Sequence, residues 1–246
     1  WGTLEGSIIS GYGAPASSNY EYIQLKGGPN KDSDYPTLKT LPESFPGLNE
    51  GKANVYDANT RRKSNLAING SNGVSVEFWL KKDAFSPTNT KNEIVLDLWN
   101  GELSSSLSYG RLTIELTGAT SGSPFLVTMQ SASNGFFQES IGSGVTTGSL
   151  SSWNHLGFTF ENTGSNIQAK FYLNGNLNHT ILTGSTVGEV TGSLIANIGA
   201  LRTAPSGATG ATYKGVSQGY GKLSGSLDEF RYWTTKRTSK DIGRFW

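Results

Sequence analysis

The sequence predicts an all-β protein built as a sandwich of two antiparallel sheets, and three observations carry that prediction. Apolar and polar residues alternate with a period of two over several runs of five to eight residues. Gly-, Ser- and Asn-rich turns separate these runs, with no amphipathic helical pattern between them. Gly, Ser, Thr and Asn supply 106 of the 246 residues, whereas the helix formers Ala, Leu, Lys and Glu are scarce. Eleven per cent aromatic residues speak against a disordered Gly/Ser chain, so the small polar residues are assigned to turns and solvent faces of a folded body.

Residues 1–64 read as an irregular N-terminal arm or edge segment. Pro29, Pro36, Pro42 and Pro46 punctuate a stretch without sustained periodicity. Short extended pieces are expected at 20–25 and 53–57, and the segment serves as an edge strand with loops or as an arm docked on a partner. A regular domain is expected over 65–246. Val74, Val76, Phe78 and Leu80 alternate with Ser75, Glu77, Trp79 and Lys81, the pattern of a half-buried strand. Leu156, Phe158 and Phe160 mark a second strand; Ile167, Ala169, Phe171 and Leu173 mark a third. Asn174-Gly175 follows, and this pair readily adopts the positive φ angles of a type I′ hairpin turn leading into a strand near 176–182. Further strands are expected at 112–116, 125–130, 194–198 and 226–233. Other Asn-Gly pairs, including Asn100-Gly101 and Asn134-Gly135, read as turns. Only the tail suggests a helix: Thr238 precedes Asp241 by three, a variant of the capping box, with Ile242 and Phe245 on one face.

Composition excludes several functions. With no cysteine, disulfides and thiolate metal sites are absent. The net charge of +1, without a dominant basic block, argues against nucleic acid as a partner. The longest apolar runs, such as Phe125-Leu126-Val127, are far too short for a membrane span. The chain starts at Trp1 with neither Met nor a signal-peptide pattern, and so reads as a piece of a longer polypeptide.

Three segments carry a resemblance. They are Val74-Ser-Val-Glu-Phe-Trp-Leu-Lys81; Trp153-Asn-His-Leu-Gly-Phe-Thr-Phe160 running on to Lys170-Phe-Tyr-Leu-Asn-Gly175; and Leu223-Ser-Gly-Ser-Leu-Asp-Glu-Phe-Arg-Tyr-Trp233 with the turn that follows. In this order they resemble the laminin-G-like and pentraxin-like branch of the concanavalin A-like lectin/glucanase superfamily, over residues 65–246. The resemblance implies a jelly-roll sandwich with a short C-terminal helix, binding glycans or protein surfaces, in some members with Ca²⁺. The ending from Phe230 to Trp246 also resembles laminin-G-type modules in virion proteins of marine tailed phages. That implies a structural or interaction module of a tail, fibre or capsid decoration, on a virion or at the cell surface. Its partners would be protein subunits of the same assembly and cell-surface glycans.

The same superfamily contains glycoside hydrolases, which need two carboxylates flanking one bond. No Glu-x-Asp-x-Glu strand occurs. Glu93, Asp97 and Glu102 come nearest, but Glu93 and Asp97 lie about 13 Å apart along a strand at ~3.3 Å per residue. The adjacent Asp228 and Glu229 point to opposite faces of their strand and read as structural, with Arg231 as a partner. His155 and His179 lack metal-ligand spacing and read as structural, His155 as solvent-facing or hydrogen-bonded. Gly142-Ser143-Gly144 lacks the frame of a nucleophile elbow, and the glycines at 207 and 210 lack a following Gly-Lys-Ser/Thr. The expectation is a non-enzymatic module, with a glycan-degrading hydrolase as the alternative. Calcium needs six to eight oxygens; Asp32-Ser33-Asp34 sits in the irregular arm, and Asp97 is the expected rim ligand. Trp99, Tyr109, Phe136, Phe137, Tyr213 and Tyr220 lie in or near Gly/Ser loops and are the expected glycan or partner contacts, because exposed aromatic faces stack on sugars.

Overall fold

The computed structural model describes residues 7–10, 21–26, 38–39, 66–84, 92–100, 102, 106–117, 122–190, 194–200 and 221–244. Thirteen strands, a 3-10 turn at Gly148–Ser151 and one short α-helix are found among them: β1 (Ser7–Ser10), β2 (Glu21–Lys26), β3 (Leu38–Lys39), β4 (Val74–Lys82), β5 (Glu93–Trp99), β6 (Gly110–Leu116), β7 (Phe125–Ser131), β8 (Asn134–Ile141), β9 (Asn154–Thr163), β10 (Asn166–Leu173), β11 (Asn176–Thr183), β12 (Ile195–Ile198), β13 (Ser224–Trp233) and α1 (Ser239–Arg244). A seven-stranded sheet runs β1-β2-β13-β4-β9-β10-β11 and a six-stranded sheet runs β3-β12-β5-β6-β7-β8. Hairpins link β9 to β11 and β5 to β8, while β13 pairs with both β2 and β4, so the chain returns across the sandwich as in a jelly roll. Among the described residues no helix is long and apolar enough to cross a membrane.

Alternation explains the core. Val74, Val76, Phe78 and Leu80 of β4, with Leu156, Phe158 and Phe160 of β9, face Leu112, Ile114 and Leu116 of β6 and Phe125, Val127 and Met129 of β7. The Phe158 ring lies 5.2 Å from Phe125 across the sheets and 5.0 Å from Phe171 within its own. Asn174 and Gly175 have φ of 48° and 75°, with Leu173 opposite Asn176, so the two-residue turn is present as expected.

Two elements depart from the sequence expectation. Phe136 and Phe137 are on β8, not in a loop. The turn before them is Ala132-Ser133, and Asn134-Gly135 opens the strand instead. Gly135 has φ 105°, and a Cβ there would lie 2.0 Å from the Met129 carbonyl oxygen, so glycine serves close backbone approach at this point. In β13 the expected strict alternation at Asp228-Glu229 is broken by a register shift between Asp228 and Arg231, with Glu229 at φ 45°. The pair is still structural: Asp228 accepts from the Glu229 N–H at 2.7 Å, and Arg231 bonds the Glu229 carboxylate. From the N-terminal segment, the strand expected at 20–25 is β2, which pairs with β13, and β3 pairs with β12; residues 53–57 lie outside the described ones.

The C-terminal tail is fastened to the outer face of the seven-stranded sheet. Asp241 N–H donates to Thr238 Oγ1 (3.2 Å) while Thr238 N–H donates to Asp241 Oδ2 (3.1 Å), the reciprocal cap expected from their spacing. Ile242 is fully buried, packing where Gly157 leaves room: a Cβ on Gly157 would lie 3.4 Å from Ile242 Cγ2. Phe245 lies outside the described residues.

Candidate functional site

Beneath this tail, β4 and β9 bring Glu77 and His155 together, an arrangement that invites an acid–base reading. Glu77 Oε2 and His155 Nε2 are 3.6 Å apart, and Arg237 Nη1 donates to Glu77 Oε1 at 2.6 Å. Both residues are buried, at 0% and 2% exposure, so His155 is neither solvent-facing nor placed to meet a substrate. Burial, with smaller contributions from Arg231 and Arg237, pushes the His155 pKa down to about 4. Burial also raises Glu77, against the opposing pull of Arg237. The cluster locks the tail to the sheet. Because the unfolded chain takes up a proton near pH 6.5 that folded His155 refuses until about pH 4, stability rises with pH through that window. It is complete above pH 6.5 and lost as pH falls toward 4. In denaturant unfolding, His155 contributes a loss on the order of 3 kcal/mol across this range, offset in part by Glu77 and Glu93, whose raised pKa values favour the folded state as pH falls. His155→Gln should flatten the slope; an unchanged slope would show that another group sets it.

A different situation holds on the outer face of the six-stranded sheet. Inward alternation of Leu96 and Leu98, of Leu112, Ile114 and Leu116, and of Phe125, Val127 and Met129 leaves Asp97, Trp99, Arg111, Thr113, Glu115, Thr128 and Gln130 pointing outward. Register sets them side by side. Asn197 of β12 is opposite Asp97, which is opposite Thr113, which is opposite Thr128; in the next row Trp99 is opposite Arg111, which is opposite Gln130. Directly opposed Cβ atoms are about 4.5–5.5 Å apart. The outer face of an antiparallel sheet is commonly solvated. Here Asp97, Arg111, Thr113, Glu115, Thr128 and Asn197 are all at most 1% exposed, and Trp99, Gln130 and Gln138 form a half-buried margin.

The row is partly satisfied. Arg111 donates from Nε to Asp97 Oδ1 at 2.7 Å and from Nη2 to Asp97 Oδ2 at 2.8 Å, a bidentate pair, and its guanidinium lies 5.2 Å from the Trp99 ring. Glu115 accepts from Asn92 Nδ2 (2.9 Å), Gln138 Nε2 (3.0 Å) and Thr113 Oγ1 (3.2 Å). Asn197 stands apart: among the described residues neither its Nδ2 nor its Oδ1 has a hydrogen-bond partner, and Gln130 Oε1 has none either. An unmade hydrogen bond on a buried polar group costs about 1–3 kcal/mol. A buried ion pair returns little net stability against an apolar isostere.

The expected site residues fall differently from one another. Asp97 is on this face, but it is buried and not at a rim, and both its oxygens are held by Arg111, so it does not fit a Ca²⁺ ligand. Among the described residues no group of three His, Asp or Glu side chains converges as a metal site. Trp99 joins the row, with its Nε1 donating to the Glu102 carbonyl at 2.9 Å. Tyr109 and Phe136 are buried at 2% and 5% exposure, so their rings serve packing; Phe137 is half-buried on β8. Tyr213 and Tyr220, like Asp32 and Asp34, lie outside the described residues. Of the carboxylates nearest to a hydrolase set, Glu93 is buried against Lys82 Nζ at 3.0 Å and accepts from the Ser224 N–H at 2.8 Å, Asp97 is paired with Arg111, and Glu102 is exposed. Sequence reading missed Arg111, Asn197 and Gln130. The available signal was Arg111-Leu-Thr-Ile-Glu-Leu116, where polar residues alternate with apolar ones, but pairing Arg111 with Asp97 requires the register.

The comparisons agree with this architecture. No curated protein sequence matches the chain. A SAP-like pentraxin from Limulus polyphemus is similar over 90% of this chain and 79% of its own, with 12% identity and a TM-score of 0.55. Mouse laminin α1 domains LG4-5 are similar over 72% of this chain and 41% of theirs, with 9% identity and a TM-score of 0.45. The Ruminococcus gnavus IT-sialidase CBM40 bound to α2,3-sialyllactose is similar over 70% and 82%, with 14% identity and a TM-score of 0.44. At 12% identity the pentraxin likeness is one of fold alone. Residues 57–243 match the laminin-G-type family model, and the chain belongs to the concanavalin A-like lectin/glucanases superfamily.

Proposed function

We propose that this chain is a non-catalytic module that binds carbohydrate on the outer face of its six-stranded sheet, within a larger extracellular or virion assembly. The observation that carries the reading is the half-buried margin of Trp99, Gln130 and Gln138 beside the buried Asp97–Arg111 pair, where Gln130 Oε1 has no hydrogen-bond partner among the described residues. A sugar hydroxyl is both donor and acceptor and would satisfy that oxygen. Trp99 at the half-buried margin supplies an apolar face for a pyranose ring. Neutralised carboxylates suit holding a ligand and not proton transfer, which needs a group able to change its charge at working pH. The assembly part of the reading rests on the likeness of the Phe230–Trp246 ending to phage virion modules and on the Gly/Ser/Thr-rich surface.

A glycan array run with and without EDTA tests this on the wild type, Gln130→Leu and Trp99→Ala. Wild-type binding should survive EDTA, since Asp97 is committed to Arg111. Gln130→Leu should weaken it at least about tenfold, roughly the loss of one hydrogen bond, without lowering thermal stability. Absence of any glycan signal, or binding indifferent to both substitutions, would remove the sheet face as the site. Cleavage of a polysaccharide that disappears in Glu93→Gln or Asp97→Asn would establish the hydrolase alternative.

A further inference from the structure

The seven-stranded sheet carries a separate group of side chains on its outer face, beside the tail. Trp233 is opposite Ser75 and Arg231 is opposite Glu77, so both follow the outward phase of β4, whose Val74, Val76 and Phe78 fill the core. Tyr232, between them, is opposite Val76; it packs against the core and donates its hydroxyl to the Ala67 carbonyl at 2.6 Å. The tail then brings Arg237 back over the strand end, its guanidinium 4.6 Å from the centre of the Trp233 ring. An open groove of about 570 Å³ lies here, lined among the described residues by Arg231, Tyr232, Trp233 and Arg237. That lining holds two cations and an indole but no carboxylate.

The cation nearest the ring is fixed at both ends of its residue. Arg237 N–H donates to Ser75 Oγ at 2.8 Å, and its Nη1 donates to the buried Glu77 carboxylate at 2.6 Å. A guanidinium offers five donors in a planar fork, and Glu77 occupies only the Nη1 end. Nε and Nη2 of Arg237 bond to no protein group among the described residues, and neither is a buried orphan, so this edge of the fork meets solvent. Arg111 grips Asp97 with the same two nitrogens, Nε and Nη2. Trp233 is 39% exposed beside it. Arg231 bonds Glu229 in an exposed pair of the kind that adds little stability. The surrounding segment is basic: residues 230–244 hold Arg231, Lys236, Arg237, Lys240 and Arg244 against Asp241 alone, in a chain of net charge +1.

We propose that this groove is a second binding site, which takes an acidic sugar, a pyranose ring that carries a carboxylate. The Nε–Nη2 edge of Arg237 matches the two carboxylate oxygens with parallel N–H···O bonds. Arg231 adds positive charge, and the exposed part of the Trp233 indole packs against the apolar face of the ring. Each half of the site discriminates. A neutral sugar leaves the guanidinium edge unused, whereas a run of acidic peptide side chains uses the charge and leaves the indole bare. The volume falls within the ~300–1,000 Å³ of small-molecule sites, room for one or two sugar rings. The groove shares no residue with the polar row of the six-stranded sheet, so it stands or falls apart from the function proposed there.

Ligand-observed NMR titrations with glucuronic acid, glucose and tetraglutamate test it on the wild type, Trp233→Leu, Arg231→Gln and Trp99→Ala. The wild type should bind glucuronic acid, with glucose and tetraglutamate at least about tenfold weaker. Trp233→Leu and Arg231→Gln should each raise the dissociation constant for glucuronic acid at least about tenfold. Both side chains are more than a third exposed, so these variants should match the wild type in circular dichroism. Glu229→Gln removes a like charge beside the ligand and should bind at least as tightly as the wild type. Trp99→Ala, which alters the polar row on the other sheet, should not change this constant. No binding of glucuronic acid, equal binding of glucose or tetraglutamate, indifference to Trp233→Leu and Arg231→Gln, or loss of binding in Trp99→Ala would each overturn the proposal.

Discussion

Arg111→Ala should destabilise the protein by about 3–5 kcal/mol, because it leaves the Asp97 carboxylate buried without its counter-charge. The geometry places this pair among the costly ones to break. Both side chains are at most 1% exposed, and the two N–H···O contacts of 2.7 and 2.8 Å form a fork that a lysine point charge would not reproduce. Asp97→Ala should cost about as much, since it strands the guanidinium instead. The pair itself is a different quantity. Asp97→Leu with Arg111→Met replaces both ions by apolar groups and should recover most of the loss, because neither charge then has to be desolvated. Adding Asp97→Ala/Arg111→Ala closes a double-mutant cycle with the wild type and the two alanine variants, and chemical denaturation of those four proteins gives the coupling energy directly. An Asp97→Leu/Arg111→Met variant as unstable as either single one would mean that the pair stabilises the fold in its own right, and the case for a face kept for binding would weaken. If the proposed function holds, that apolar double variant is the stable control that has lost its glycan.

The sandwich was legible because its inner faces follow a local rule. The alternation in β4, β9 and β10 and the Asn174-Gly175 turn depend on neighbours in sequence, so the strands and their hairpin can be placed without knowing the rest of the chain. Among the missed strands, β8 shows the limit of that rule. Asn134-Gly135 carries the chemistry of a turn, yet the turn forms two residues earlier at Ala132, which adopts φ 53° despite its Cβ. A pair suited to positive φ was used for close approach to Met129. The candidate site was less legible for a related reason. Asp97 and Trp99 were visible as individual residues, but their meaning lies in Arg111, fourteen positions away, and in Asn197, a hundred positions beyond Asp97. Only the cross-strand register joins them. Burial compounds the problem, since Asp97 in a polar loop and Asp97 beneath a guanidinium look alike in one dimension.

Phe158→Ala should lower stability by about 3–5 kcal/mol, the range for emptying a large aromatic from a packed core. Phe158 is fully buried and its ring neighbours come from both sheets: Phe78 at 6.0 Å and Phe171 at 5.0 Å in its own, Phe125 at 5.2 Å in the other. The contact with Phe125 is edge-on, at an interplanar angle of 75°, a geometry that adds about 0.5–1.5 kcal/mol beyond burial. Removing one ring therefore opens a cavity between the layers and removes three aromatic contacts together. Phe158→Leu, which leaves most of the volume filled, should cost less than half as much. In urea or guanidinium the midpoint should fall with the slope unchanged, as both states keep their extent of exposed surface. A loss below about 1 kcal/mol would mean that the layers are not joined through this cluster. The same variant bears on function. Leu112 and Ile114 hold the inner side of β6, whose outer side carries Arg111 and Thr113, so packing and recognition share one strand. If the strand moves as a unit, glycan binding in Phe158→Ala should fall only with the folded fraction; a larger fall would show that the cavity shifts β6 and with it the polar row.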